Sequence, residues 1–257
     1  MRTYQGAFHL HSRYSYDSEI ELKEMAPLLQ SQGFAFALMS EHTYDRKAKR
    51  YLSEWEIKNF IQDCERYSSP DFLMIPGLEF ACFDNQVHIV VTPLYRPLPL
   101  DELDTAEKII ETAHNEEALA ILVHPFWGNA CQRLDKKTFL QLDGFEVWNY
   151  NYQRRHGPSL NQYLRLRKWF QRSQETMAFA GLDLHRKKDV VPIMIEMSLK
   201  ELTREAVFQK LRRKDYVLKT LQRKFTPNGR IDNLLLHGMT RESDLLARLR
   251  RRLFRAR

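Results

Sequence analysis

Seven short apolar runs punctuate this 257-residue chain, and most of them end on or just before a histidine or a carboxylate. The runs are Gly6 to His11, Ala35 to Ser40, Phe72 to Phe80, Val87 to Thr92, Ala118 to His124, Phe145 to Asn149 and Thr176 to Leu182. Short apolar runs bounded by turn residues read as strands. Between them, Leu22 to Ser31, Glu54 to Tyr67, Thr105 to Asn115, Lys136 to Leu142 and Leu160 to Gln171 carry helical patterning. The alternation predicts β/α units. At 43% hydrophobic the chain can bury one core, the size of a single α/β barrel.

The polar residues at the strand ends carry the chemistry. Side chains two apart on a strand share a face, so His9 and His11 are expected to aim two imidazoles at one point. Asp183 and His185 repeat that spacing, and Asp17, His42, Glu79, His88 and His124 lie between. Burying such groups unpaired is costly, and shared cations remove the cost. Imidazoles and carboxylates suit manganese, zinc, iron or magnesium. The donors outnumber what one ion needs, which implies two to three divalent metal ions with a carboxylate such as Glu79 bridging a pair. Ions about 3.5–4 Å apart are suited to in-line attack at phosphorus, so a phosphoester is the expected substrate.

The ordered series His9-Leu10-His11, Ser15 to Ser18 around Asp17, Ser40-Glu41-His42, Pro76-Gly77-Leu78-Glu79, Val87-His88, His124-Pro125, Gly144 to Asn149 and Gly181 to His185 resembles the PHP (polymerase and histidinol phosphatase) superfamily, over about residues 4 to 190. The resemblance implies a distorted (β/α)7 TIM-like barrel holding a trinuclear cluster. It puts His9, His11, Glu79 and Asp183 on one ion and lets Glu79 bridge to a second ion held by His88 and His124. Asp17, His42 and His185 then hold the third. It also implies that Glu79, Asp183 and His185 are catalytic, with a hydroxide shared by the ions attacking phosphorus. Three positions depart from the common pattern. Glu41 replaces an aspartate and is expected to affect the orientation of His42, Leu182 replaces a small polar residue, and Asp17 stands where some members have histidine.

Other residues are weaker candidates. Arg13, Arg186 and His156 are expected to bind substrate, the arginines through bidentate contacts to phosphate. Glu146 and Asn149 read as partners of ligands rather than as ligands. Cys64, Cys82 and Cys131 are too far apart for a zinc knuckle and odd in number, and are expected to be free thiols.

The net charge of +7 is concentrated at one end. Residues 201 to 257 hold 16 Lys/Arg against 6 Asp/Glu, which leaves 24 against 27 in the remainder, so the main body does not read as a nucleic-acid-binding surface. We divide the chain into a barrel with its closing helix at 1–222 and a basic extension at 223–257. From Thr240, leucines at helical spacing opposite arginines predict an amphipathic helix that packs its leucines on the barrel or on another subunit, or contacts an anionic surface (membrane or nucleic acid). No apolar run approaches the length of a membrane span and the start lacks a secretory pattern, so a cytoplasmic location is expected. The leading expectation is a metal-dependent phosphoesterase acting on a small phosphorylated substrate. The alternatives are a nuclease or nucleotide phosphodiesterase, or a non-catalytic binding module of the same fold.

Overall fold

Helix faces and strand registers build an α/β molecule with two mixed six-stranded sheets. The structure is a computed structural model and describes residues 1–82, 85–127, 130–153, 160–172, 175–220 and 224–229. In chain order the elements are β1 (Arg2–Phe8), α1 (Leu22–Gln30), β2 (Phe36–Leu38), β3 (Glu41–His42), β4 (Tyr44–Asp45), β5 (Arg50–Tyr51), α2 (Glu54–Arg66), β6 (Leu73–Ile75), β7 (Leu78–Cys82), β8 (Val87–Thr92) and α3 (Ala106–Asn115). There follow β9 (Leu119–Val123), α4 (Ala130–Arg133), α5 (Lys136–Gln141), β10 (Gly144–Asn149), α6 (Tyr150–Gln153), α7 (Leu160–Arg172), β11 (Met177–Gly181), β12 (Met194–Leu199), α8 (Arg204–Arg212), β13 (Val217–Lys219) and β14 (Lys224–Phe225).

One sheet has the order β14-β13-β12-β1-β2-β6 and the other β11-β10-β9-β8-β7-β3. β8 and β9 are buried along their whole length, as their continuous apolar runs require. Backbone hydrogen bonds join the sheets at two places. At one, Leu182 N donates to Phe8 O; at the other, Ser40 N, between β2 and β3, donates to Leu10 O, beyond the end of β1. The helices pack their periodic faces inward: Leu22, Met25, Ala26 and Leu29 on α1, Ile57, Phe60, Ile61 and Cys64 on α2, Ala106, Ile109, Ile110 and Ala113 on α3. Ser53, Thr105 and Thr203 cap α2, α3 and α8 by accepting a hydrogen bond from the first turn, each worth about 1 kcal/mol.

Four details differ from the sequence expectation. The run Phe72 to Phe80 is two strands in different sheets, broken at Pro76-Gly77. Proline has no N–H to continue a ladder, and a Cβ at Gly77 would lie 2.3 Å from Met39 O, so the chain crosses there between the sheets. Uniform β/α units give way to antiparallel pairing of β7 with β8 and of β8 with β9. β12, which no sequence signal picked out, pairs antiparallel with β1 from Arg2↔Leu199 to Gly6↔Ile195. Residues 224–229, placed in the extension, pack on the body: Phe225 pairs with Leu218, and Ala178 N donates to Pro227 O at 2.6 Å. The body therefore reaches residue 229. The three cysteines are free. Among the described residues, no helix is long and apolar enough to cross a membrane. The predicted helix from Thr240 lies outside the described residues.

Candidate metal centre

β1 ends at Phe8, so strand alternation is not what brings His9 and His11 together. His9 has φ 64°, in the left-handed region, and His11 follows a short bridge in which Leu10 pairs with Leu184. Asp183 (φ 51°) and His124 (φ 30°) share this rare conformation. Non-glycine residues held there cost of order 1–3 kcal/mol each, and such strain concentrates at functional sites. All three are buried.

Glu79 on β7 is the centre of the cluster. Its Oε1 lies 2.6 Å from His88 Nδ1 and 3.1 Å from His124 Nε2. Its Oε2 lies 3.4 Å from His9 Nε2, 3.3 Å from His11 Nε2 and 3.2 Å from His42 Nδ1. Asp183 Oδ1 faces His9, His11 and His185 at 3.6, 3.5 and 3.4 Å. Asp17 spans the outer histidines, 3.5 Å from His42 and 3.4 Å from His185. His88 reaches the cluster from within β8, because β7 and β8 are antiparallel and set it beside Ala81.

Surrounding groups fix the rings. Glu146 Oε1 accepts from His9 Nδ1 at 2.9 Å, which turns His9 Nε2 toward Glu79 and Asp183. The other oxygen of Glu146 accepts from His124 N at 2.6 Å and from the Asn149 amide at 2.8 Å. A Cβ on Gly181 would lie 1.7 Å from Glu146 Oε1, so this approach requires glycine there. Glu146 thus hydrogen-bonds two candidate ligands, His9 and His124, and Asn149 bonds Glu146.

Glu41 acts through Ser15, whose hydroxyl contacts the His11 ring and also accepts from His42 N at 2.9 Å. Its carboxylate accepts from Ser12 Oγ and from Ser15 Oγ, both at 2.6 Å. Ser15 has one proton and gives it to Glu41, so at 3.1 Å it must accept from His11 Nδ1–H. His11 Nε2 then presents a lone pair to two carboxylates, and among the described residues no hydrogen bond reaches that atom. Burial, with the neighbouring His185 and His42, pushes the His11 pKa down to about 3, so the ring is neutral. A lone pair aimed at two carboxylates is repulsive unless a cation lies between them. The residues therefore fit divalent ions, and their ligand atoms form four overlapping groups, each within 4.8 Å: His9/His11/Glu79, Glu79/His88/His124, His11/His42/His185 and His9/His124/Asp183.

Without such ions, protons balance the charge. Burial opposes protonation of His9, but Asp183, Glu146 and Glu79 outweigh it and hold its pKa well above the ordinary value. The same contest, burial against Glu79 and Asp17, raises His42 to about 10, and Asp17 and Asp183 raise His185. Burial acts to raise Glu79 and Asp183, yet the facing imidazoles hold both carboxyls well below the usual range.

A cavity of about 430 Å³ opens onto the cluster, with Tyr16, Arg46, Trp127, Tyr152 and Arg186 on its walls. Of the expected substrate contacts, Arg186 lines the cavity, although its guanidinium also binds Asp189 at 2.6 Å. Arg13 does not line it and pairs with Glu21 at the surface, 2.8 Å away. His156 lies outside the described residues. Sequence reasoning missed Tyr16, Arg46, Trp127 and Tyr152. Tyr16 adjoins Asp17 and offered a signal, whereas Arg46 sits in a polar turn that offered none.

No family model matches this sequence, and no curated protein does. Solved structures do match. A two-domain protein from Bacteroides vulgatus that contains a predicted PHP-like metal-dependent phosphoesterase is 17% identical, with TM-score 0.64 over 85% of this chain and 65% of that one. A protein from Bifidobacterium adolescentis assigned as a metal-dependent phosphoesterase is 13% identical, with TM-score 0.52 over 80% and 96% of the two chains. The lesion-specific endonuclease EndoQ of Pyrococcus furiosus is 16% identical, with TM-score 0.53 over 83% and 56%. The chain thus spans less than two thirds of the Bacteroides and Pyrococcus proteins. At these identities the likeness is one of fold: the chain has the fold of PHP-like metal-dependent phosphoesterases.

Proposed function

We propose that this protein hydrolyses a small phosphoester with two to three divalent ions held by His9, His11, Asp17, His42, Glu79, His88, His124, Asp183 and His185, on a distorted (β/α)7 barrel of the PHP type. The observation that carries this reading is Glu79, whose two buried oxygens face five imidazoles within 3.4 Å. Ions bound there would acidify water and neutralise charge developing on the phosphoryl oxygens. The chain supplies the rest. Glu79 and Asp183 fix the spacing of the imidazoles, Ser15 and Glu146 set the tautomers of His11 and His9, and the strand ends bury His9, His11, Glu79, His88, His124 and Asp183. Glu79, Asp183 and His185 are the residues we assign to the chemistry, and Arg186 to the substrate. A cytoplasmic location and a docking role for the basic C-terminal extension are parts of the same proposal.

The likeness to EndoQ supports a second reading, a nuclease. One assay separates the two: protein loaded with manganese, zinc, iron or magnesium is offered sugar phosphates, nucleotides and short oligonucleotides. Release of inorganic phosphate from monoesters supports the first reading, and internal cleavage of oligonucleotides the second. Absence of hydrolysis with every metal, in protein shown to bind the ions, would leave the fold as a binding module.

A further inference from the structure

Beside the cluster lies a second cavity of about 380 Å³, within the range of roughly 300–1,000 Å³ typical of small-molecule sites. It shares Tyr16, His42, Arg46 and Glu79 with the first, so the two are continuous at the proposed metal centre. Its outer wall is the β4–β5 hairpin. Tyr44 and Tyr51 are cross-strand partners, their rings edge to face at 5.2 Å, and both are exposed. Asn85 and Asp104 also line it, Asp104 with its carboxylate held by Lys108 at 2.9 Å.

The hairpin is held in place rather than loosely appended. Asp45 Oδ1 accepts from Lys47 N and Ala48 N at 2.8 and 2.9 Å and shapes the turn. Lys47 donates to Tyr16 O at 2.5 Å, on the metal side. Arg50 grips Glu56 of α2 with two bonds of 2.6 and 2.7 Å, on the helix side. Lys47 and Arg50 are thereby occupied. Arg46 is not: among the described residues no carboxylate pairs with it, and it lines both cavities. Exposed tyrosine rings fixed beside a catalytic cavity match the face of a planar aromatic group, and an uncommitted guanidinium matches phosphate.

We propose that this cavity, contiguous with the metal centre, is the subsite for the organic part of the substrate and takes a planar aromatic ring, as in a nucleoside monophosphate, against Tyr44 and Tyr51 with Arg46 meeting the phosphate. The proposal rests on the phosphoesterase reading and narrows its substrate class.

The test compares adenosine monophosphate with ribose 5-phosphate, which keeps the sugar and phosphate and lacks the ring. Full-length manganese-loaded protein is assayed for kcat/KM and for binding by calorimetry. Wild type should favour the nucleotide by roughly tenfold or more, the scale of one base stacked on aromatic side chains. Tyr51→Ala should collapse that ratio chiefly through KM, Tyr51→Phe should retain it, and Arg46→Gln should weaken both compounds. Equal handling of the two by wild type, or a ratio unchanged in Tyr51→Ala, would overturn the subsite while leaving the hydrolase reading intact. Ring-dependent binding without hydrolysis would uphold the subsite and remove the hydrolase reading. No binding of either compound would overturn the subsite.

Discussion

Leu10 and Leu184 pair across a single parallel bridge, with Leu184 N donating to His9 O at 3.2 Å and His11 N to Leu184 O at 3.0 Å. This lays His9-Leu10-His11 alongside Asp183-Leu184-His185, so four of the proposed ligands flank one fully buried apolar pair. Leu184→Ala should cost about 2–5 kcal/mol of stability, the usual range for such a truncation. It should also lower metal content at temperatures where the protein stays folded. Denaturant unfolding and metal analysis of the same samples check both.

Glu79→Gln should lower turnover by more than about 100-fold, beyond the range expected for a group that only supports a ligand. It removes the charge that five imidazoles share. Circular dichroism should remain native-like while metal per chain falls. A variant with the full metal complement and near-normal phosphoester hydrolysis would refute the proposed centre.

Ser15→Ala should weaken metal binding by roughly 10–100-fold. It removes the acceptor that sets the His11 tautomer and leaves the buried Glu41 carboxylate without one of its donors. The effect should exceed that of Arg13→Ala, since Arg13 is engaged at the surface by Glu21. Metal titrations of the two variants side by side provide the comparison.

Gly181→Ala should behave like loss of Glu146, because the added methyl would overlap Glu146 Oε1. Overpacking of this kind costs about 1–3 kcal/mol. Activity should fall together with that of Glu146→Gln, and the double variant should lose little more than either single one. Additive losses would show that the two positions act separately.

Metal binding should release protons, and its apparent affinity should rise with pH. In the metal-free protein His42 is protonated up to about pH 10, and His9 and His185 are also held protonated above their ordinary range. Each proton displaced makes affinity rise roughly tenfold per pH unit until that group's own pKa is reached. Calorimetry in buffers of different ionisation enthalpy counts the protons. For folding of the metal-free protein the raised His42 pKa has the opposite consequence: its stabilisation is full below the ordinary value of 6.5 and is lost as pH rises through about 10. The depressed carboxyls of Glu79 and Asp183 stabilise above the ordinary carboxyl range and lose that contribution as pH falls.

The amino-acid sequence by itself determined the donor inventory, the apolar runs of β8, β9, β10 and β11, the buried faces of α1 to α3 and the motif order that resembles the PHP family. These are local properties, set by side-chain type and by periods of two and 3.6 residues. Tertiary structure decided what depends on distant partners. It split Phe72 to Phe80 between two sheets, set β12 beside β1 and ran β8 antiparallel to β7. It also held His9, His124 and Asp183 in left-handed backbone, linked Glu41 through Ser15 to His11, and brought the Tyr44–Tyr51 hairpin to the cavity. Positive φ is uncommon even for Asp and His, which tolerate it better than most residues, so that conformation is set mainly by surrounding contacts and leaves little local trace.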